Sequence, residues 1–444
     1  MTVTDVIPLA AAGVEPLYPC RIASYRKKVA AKYGAYNLVW RLYETNKHNS
    51  YLCNLRLRAS LLGLGVSRKM KFDIAAKLVS PTQRAWVVHA GRAKVNYDEF
   101  SQNDIVFLEA PYLGLEDRIL KSKGSLRRAI RRSVAWREHA ETTGSSAPSG
   151  LLKDYDDGTF KETDLQTLSG SVSRLYGQAK IGDLVIVPGR DVYEGLSRQV
   201  IRFGEITSDF DPAKKHSGGR LASQQVPFRD VRWLKVVPRR ALSIHLERKI
   251  GKPPAVREIK IDKDNEELLK HAYDSYIFDG NSSSLVIADK YDAPDFIVLN
   301  RSSDLIAFLV AAHAKLHPRD GAKFDIKDID AFTAANFKDA AVENIEVNFS
   351  SPGHWRIVGA SVSLAAFVAL GIAVFSSGLP AAVMANGIEV INSVSPTDGT
   401  AKDLEDSMNI LLKSVEKLQL QKAANTANNA KQIIGLQSST KPVK

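Results

Sequence analysis

The sequence predicts an α+β protein: a helical N-terminal region, a curled β-sheet module, and a mainly helical C-terminal region with one hydrophobic, candidate transmembrane helix. Three observations predict this order. Apolar residues recur at helical spacing over residues 17–80. Short apolar runs bounded by turn residues recur between 84 and 258, as in a small barrel or strongly bent sheet. Between Arg356 and Glu389, 32 residues contain no Asp, Glu, Lys or Arg.

The chain has 444 residues and a formal net charge of +12. This length predicts more than one domain, and the positive charge favours a polyanionic partner or an anionic membrane surface. Cys20 and Cys53 form no CxxC pair, so a disulfide scaffold or a zinc site is not expected. The composition changes divide the chain into residues 1–80, 81–258, 259–350, 351–395 and 396–444.

The first region, residues 1–80, is basic and predicted to be helical. Tyrosines and Trp40 recur among lysines and arginines, as in surfaces that stack bases and contact phosphates. The alternative is an amphipathic helical layer with a solvated basic face. The N-terminus lacks the basic segment of a secretory signal, so we expect most of the protein to be cytoplasmic.

A second basic stretch lies inside the β-rich module, between Arg118 and Arg137. Its arginines stack at i,i+4 spacing on one predicted helix, where like charges repel. An anionic surface such as nucleic acid would neutralise them, and a solvated face is the alternative. The predicted nucleic-acid contacts in this stretch are Arg127, Arg128, Arg131 and Arg132.

An ordered series of short motifs runs from residue 84 to 258: WVVHAG, YDEF, NDIVFL, IGDLVIVPG, FGEIT, VRWLKVVPRRALS and REI. This series resembles the EVE/PUA-like N-terminal module of Mrr-type restriction proteins and related prokaryotic defence proteins. The resemblance implies a β-pseudobarrel with a cleft for a base, which in some members is chemically modified. Residues 81–258 would then form a nucleic-acid- or nucleotide-binding module.

The resemblance makes five residues of this module candidates for base stacking and backbone contact. Arg92 follows a predicted strand and Gly91, and it is the strongest candidate for an anion contact. Trp86, Phe203 and Trp233 lie in predicted strands and could instead be core residues, and His89 could be a satisfied core histidine. The candidates are Trp86, His89, Arg92, Phe203 and Trp233.

A diverged metal-dependent nuclease is an alternative, because Mrr-type proteins carry one. It would use Asp295, Asp325 and Lys327, but the spacing is wide and FDIKDID reads as the start of a helix rather than a strand. No P-loop, HExxH, nucleophile elbow or GxGxxG is present. We therefore predict no catalytic residue, no cofactor and no metal.

The apolar segment 357–379 has the length of a membrane-spanning helix, since a bilayer core takes roughly 20 apolar residues. It could span a membrane, line an oligomeric pore, insert when triggered, or form a buried core. Ala365, Ala369 and Ala373 repeat every fourth residue, as in helix faces that approach closely in lipid, so a homo-oligomer is expected. The predicted helix over 403–421 is amphipathic, and the tail after it is expected to be flexible.

Together these features predict an antiviral-defence sensor that binds nucleic acid or a nucleotide ligand and acts through a membrane-associated C-terminal segment. Its expected location is the cytoplasmic face of the bacterial inner membrane. The nuclease is one alternative. The other is a non-catalytic DNA-binding adaptor without membrane contact.

Overall fold

A computed structural model describes residues 69–143, 150–156, 161–193, 196–218, 224–291, 295–317, 324–348, 352–378, 387–397 and 399–443. The predicted basic helices before residue 69 lie outside these ranges. The strands are β1 Met70–Asp73, β2 Lys77–Leu78, β3 Arg84–Val88, β4 Ile105–Phe107, β5 Leu184–Tyr193, β6 Leu196–Ile206, β7 Phe228–Pro238, β8 Val256–Lys260, β9 Ser275–Phe278, β10 Asn281–Ala288, β11 Val342–Asn348, β12 Gly353–Gly359, β13 Ile388–Ile391, β14 Leu436–Ser438 and β15 Lys441–Pro442.

The described residues form a mixed α+β structure, as predicted. The α-helices are α1 Tyr97–Asn103, α2 Asp117–Lys121, α3 Lys123–Thr143, α4 Glu162–Val172, α5 Ile244–Ile250, α6 Glu267–Ala272, α7 Phe296–Leu316, α8 Ile329–Asn336, α9 Leu364–Phe375, α10 Thr400–Ser414 and α11 Lys417–Ile433. Shorter helical turns include Arg92–Lys94, Leu152–Tyr155 and Arg239–Ala241, and a π-helical turn, Ser173–Gln178, continues α4.

The first sheet has six strands in the order β4-β7-β6-β5-β3-β8 and curls into a half barrel. Strands β3 and β5 are parallel, whereas the other pairs are antiparallel. A bulge in β7 shifts the register with β6 between Phe203 and Gly204. A Cβ at Gly204 would lie 2.6 Å from Val231 Cγ1, so glycine permits the close approach. Bulges bend and twist strands, and this one contributes to the curl.

Both faces of this sheet are covered. Trp86 and Val88 pack into one core and Val87 into another on the opposite face. This explains why the strand sequence AWVV is apolar without alternation, since strands buried on both faces show continuous apolar runs.

A second sheet has the order β11-β12-β10-β9-β2, with β14 also paired to β10, and a three-stranded sheet has the order β13-β1-β15. Residues 70–73 and 77–78 are therefore strands, and the prediction of helix up to residue 80 is wrong for them. Their partners lie far along the chain: Met70 pairs with Ile388 and Lys77 with Tyr276. One hydrophobic core contains residues from β1, from α7 and from the C-terminal helices, and it crosses the boundaries predicted at 350 and 395.

The apolar segment is not one helix, so the prediction of a continuous helix over 357–379 is wrong. Ile357 and Val358 belong to β12, which pairs with both β10 and β11. Helix α9 has 12 residues, all of them buried, and at 1.5 Å per residue it is about 18 Å long, too short for a bilayer core of about 30 Å. The small residues Ala365, Ala369 and Ala373 are buried within the protein, and a Cβ at the neighbouring Gly371 would overlap Leu309 of α7.

Helix α7 is the one helix in the described ranges that is long and apolar enough to cross a membrane by length and composition. More than half of its most apolar window is buried inside the protein. Membrane association and homo-oligomerisation stay predictions. The C-terminal residues form regular elements: the helix expected over 403–421 is divided into α10 and α11, and β14 and β15 follow.

Candidate nucleic-acid interface

Three side chains form an aromatic–arginine cluster on one face of the curled sheet. The Arg202 guanidinium carbon lies 5.4 Å from the centre of the Tyr97 ring and 5.6 Å from that of Trp233. Arg202 Nε donates a hydrogen bond to the Tyr97 hydroxyl at 3.2 Å. Trp233 Nε1 donates to the backbone oxygen of Phe100 at 3.1 Å, which fixes the indole. Tyr97, Arg202 and Trp233 are called the aromatic–arginine cluster below.

The strand register sets this arrangement. Trp233 lies opposite Gly204, and Arg202 is two residues before Gly204, so both side chains are on the same face. Tyr97, the first residue of α1, reaches that face because Gly189 of β5 leaves room for its ring. Tyr97 is buried, whereas Arg202 and Trp233 are half-buried. Arg202 has no carboxylate within 4 Å in the described part of the chain.

We expect Gly189→Ala to disturb the cluster, because the added Cβ would overlap the buried Tyr97 ring. The expected loss is about 1–3 kcal/mol of unfolding free energy, typical of overpacking. In a Tyr97→Ala background the same substitution should cost little, because the ring is gone. Urea unfolding of the four variants in a double-mutant cycle measures this coupling. An equal cost in both backgrounds would contradict the packing described here.

Lys94 extends the cluster with a second cation. Its Nζ donates a hydrogen bond to the backbone oxygen of Gly189 at 2.9 Å. The Tyr97 ring packs on the same glycine. Burial lowers the pKa of Lys94, and the charges of Arg239 and Arg190 lower it further. Ala93 and Lys94 both have left-handed backbone conformations, with φ of 54° and 65°. Such strain is concentrated at functional sites.

A cavity of about 500 Å³ adjoins the cluster at Trp233. The carboxylate of Asp104 makes no hydrogen bond or ion pair within the described residues, and Asp230 accepts a hydrogen bond from the Ser208 hydroxyl at 2.6 Å. The wall thus combines an aromatic surface with hydrogen-bond acceptors. The lining residues are Asn103, Asp104, Thr207, Asp230, Val231, Arg232 and Trp233.

The other predicted residues of the module occupy different environments. Trp86 and Phe203 are fully buried, and Trp86 Nε1 donates to Asp183 Oδ2 at 2.8 Å. They are core residues here, in line with the alternative reading. Arg92 is exposed in the turn after β3. His89 is half-buried, and its Nε2 lies 3.3 Å from the backbone oxygen of Lys252. Burial lowers the pKa of His89. The hydrogen bond to the Lys252 backbone opposes this shift, and the charges of Arg257 and Lys94 add to it.

The arginine stack of α3 is largely neutralised within the protein itself. Arg127 pairs with Glu162 of α4, and Arg128 Nε lies 2.7 Å from Asp156. Arg131 donates to the backbone oxygen of Asp156. An external polyanion is therefore not needed to balance this helix face.

Arg132 differs from the other three arginines, because it makes no hydrogen bond or ion pair with the described residues; its Nε, like that of Arg131, is buried without a hydrogen-bond partner. Since it too is only half-exposed, the stack as a whole offers less free positive charge than the sequence suggests. Of these two basic surfaces, the aromatic–arginine cluster is therefore the better candidate for an anion contact.

The residues of the alternative nuclease do not form an evident metal site. Asp325 and Lys327 are exposed and lie next to each other, with 3.8 Å between Oδ2 and Nζ. Asp328 caps the start of α8, in agreement with the prediction that FDIKDID begins a helix. Within the described ranges, no group of three or more His, Cys, Asp or Glu side chains could hold a metal ion.

Two members of the cluster, Tyr97 and Arg202, were not predicted from the sequence, nor was Lys94. The only local sign is an arginine inside the apolar strand sequence QVIRFGEI. Comparisons of the chain with family models, with curated proteins and with solved structures find no match.

Proposed function

We propose that the protein binds single-stranded or locally unpaired nucleic acid through the aromatic–arginine cluster. The observation that carries this proposal is Arg202: its guanidinium lies within 6 Å of the centres of two aromatic rings and has no carboxylate partner among the described residues. Proteins that bind single strands combine aromatic rings, on which bases stack, with cations that follow the backbone. Trp233 supplies the stacking surface, and Arg202 and Lys94 supply the charge.

The cavity beside Trp233 suits a single unstacked base better than a base pair. Its aromatic wall can stack on a base, and its carboxylates can accept hydrogen bonds from base N–H groups. Guanine presents two such groups on its pairing edge, N1–H and the N2 amino group, whereas cytosine and adenine present one amino group each and uracil presents a single N3–H between two carbonyl oxygens. A half-barrel sheet is also what the resemblance to EVE/PUA-like modules implies, and we propose this more specific identity for residues 81–258.

The proposal is a binding function and includes no cleavage step. Of the functions predicted from the sequence, this binding function is closest to the non-catalytic DNA-binding adaptor. The antiviral-defence role and the membrane-associated output at the inner membrane stay predictions, and the burial of α9 removes the segment on which the membrane output was based.

Binding of a fluorescein-labelled 12-nucleotide single strand, measured by anisotropy over a salt series, tests the proposal. We expect a steep salt dependence and weaker binding of the matched duplex. Arg202→Ala should weaken binding about tenfold and reduce the slope of log K against log salt by about 0.7, as expected for one lost phosphate contact on a single strand.

Arg118→Ala is the matched control. Its side chain is 81% exposed and pairs with Glu116, away from the cluster. The proposal is wrong if the single strand does not bind at low salt, or if Arg202→Ala and Arg118→Ala bind equally well.

A further inference from the structure

We propose that the base held in the cavity beside Trp233 is guanine, and that the Asp104 carboxylate selects it by accepting hydrogen bonds from N1–H and from the N2 amino group. Both residues line the cavity. This inference rests on the proposed function and specifies its ligand as a single strand that contains an unpaired guanine.

The stacking ring and the carboxylate residue are anchored at one common atom. The backbone oxygen of Phe100 accepts a hydrogen bond from Trp233 Nε1 at 3.1 Å and another from the backbone N–H of Asp104, the residue that follows α1. The backbone oxygen of Asp104 in turn accepts from the N–H of Val231 at 2.8 Å, two residues before Trp233 in β7. Asp104 and Trp233 are therefore held as neighbours in the cavity wall.

The Asp104 carboxylate is the acceptor that a ligand can satisfy. It is exposed and makes no hydrogen bond or ion pair with the residues that the structure describes. The second carboxylate of the cavity is already compensated: Asp230 Oδ2 accepts from Ser208 at 2.6 Å and lies 3.7 Å from Lys214 Nζ. A base stacked on the indole would displace water from Asp104, and a carboxylate that loses water without gaining a donor is unfavourable.

Guanine is the base whose pairing edge meets this requirement. Its N1–H and N2 amino group are adjacent donors, which can bind the two oxygens of one carboxylate in parallel. Adenine and cytosine place one amino group beside a ring nitrogen that is itself an acceptor, and thymine and uracil place one N–H between two carbonyl oxygens. In each of these bases, a lone pair would face a carboxylate oxygen.

The same cavity contains donors for the guanine O6. Arg232 lines it, and the Arg232 side chain is 60% exposed although its Nη2 donates to Glu205 at 2.6 Å. The hydroxyl-bearing Thr207 also lines the cavity and is exposed. Arginine is the side chain that most commonly recognises guanine through its carbonyl oxygen. The lining therefore combines an acceptor for the two N–H groups with donors for the oxygen beside them.

Anisotropy titrations of five 12-nucleotide thymidine strands test the inference. The central base is thymine, guanine, hypoxanthine, adenine or cytosine. We expect the guanine strand to bind roughly 5- to 150-fold more tightly than the thymine strand, the range given by one good bidentate contact to a base. Hypoxanthine keeps N1–H and O6 but lacks the N2 amino group, so its strand should lose most of that preference. This comparison needs no variant of the protein.

Asp104→Asn tests the assigned residue. The amide replaces one acceptor oxygen by a donor, so the variant should bind the guanine and thymine strands about equally. Asparagine tolerates the left-handed backbone of Asp104, with φ of 54°, so the fold should be retained. Asp98→Asn is the matched control, because Asp98 is an exposed aspartate of α1 outside the cavity lining. A preference that survives Asp104→Asn, or that both variants lose equally, overturns the assignment.

The outcomes separate this inference from the proposed function. Equal affinity of the wild-type protein for all five strands overturns guanine selection and leaves the binding function intact. Guanosine monophosphate that binds more tightly than the guanine strand also overturns it, because the cavity would then serve a free nucleotide. If no strand binds, the proposed function fails together with the inference.

Discussion

Replacing Trp233 by alanine is expected to weaken binding of a single strand by roughly 5- to 150-fold. Stacking of one base on an aromatic ring contributes about 1–3 kcal/mol, and each 1.4 kcal/mol is a factor of ten in affinity. The indole is half-buried beside the cavity, where a base can reach it, and it also contacts Arg202. Anisotropy titrations of the wild-type and variant proteins measure the difference.

Trp233→Phe is the matched control for this prediction. It loses the same indole hydrogen bond to Phe100 as the alanine variant, but it keeps a ring for stacking. We expect it to retain most of the affinity. If both variants bind like the wild-type protein, Trp233 is not a stacking residue. If both lose affinity equally, the indole hydrogen bond and the local fold are responsible, not the stacking.

The sequence predicts β3, β4 and β5 of the first sheet well, because each contains a short apolar run next to turn residues. It does not predict which strand faces carry function. Arg202 lies between Ile201 and Phe203, which pack on the opposite face. Whether such an arginine is buried or meets a ligand depends on what covers its face. Here that is α1, placed by the contact of Tyr97 with Gly189.

The apolar segment shows why composition alone cannot separate lipid from a protein core. Both environments select the same side chains, and the distinction lies in partners that are distant in sequence. Ile357 is a strand residue because β10 and β11 flank it on both sides. Ala365, Ala369 and Ala373, predicted to form a close helix contact in lipid, are buried inside the same chain.

The arginine stack of α3 shows a related limit. Its i,i+4 spacing correctly indicates like charges on one helix face. The acids that neutralise them, Asp156 and Glu162, come from a stretch that reads as an exposed polar loop. Local periodicity contains no information about these ion pairs, because they form only when Asp156 and the start of α4 pack beside α3.

Removing the Glu205 carboxylate is expected to cost about 3 kcal/mol of unfolding free energy, because it leaves nearby cations unpaired in a buried setting. Glu205 is 4% exposed. It accepts from Lys77 at 2.5 Å, from the Tyr273 hydroxyl at 2.6 Å and from Arg232 at 2.6 Å. Lys77 belongs to β2 of the second sheet, so the network joins the two sheets. Urea unfolding of Glu205→Gln at pH 7 measures the loss.

The pH dependence gives this prediction a second, independent test. Burial alone would raise the pKa of Glu205, but hydrogen bonds from Lys77 and Tyr273, the charge of Lys77 and the bond from Arg232 hold it below 4.5. A carboxyl whose pKa is lower in the folded state stabilises the protein fully above its unfolded pKa, and this stabilisation is lost as pH falls through the folded value. The difference between wild-type protein and Glu205→Gln should therefore be constant from pH 7 to about pH 5 and shrink below about pH 4.5.

Glu258→Gln is the matched control, because its pair with Arg84 lies on the same sheet at 3.8 Å with both side chains more than a third exposed. Exposed pairs contribute little, so the control should change the unfolding free energy by less than about 1 kcal/mol. Equal effects of the two substitutions, or a Glu205→Gln difference that does not depend on pH, would show that Glu205 does not hold the two sheets together as a buried carboxylate. A large and pH-dependent effect at Glu205 alone would mean that this carboxylate is a charged link between the sheet that carries the aromatic–arginine cluster and the second sheet.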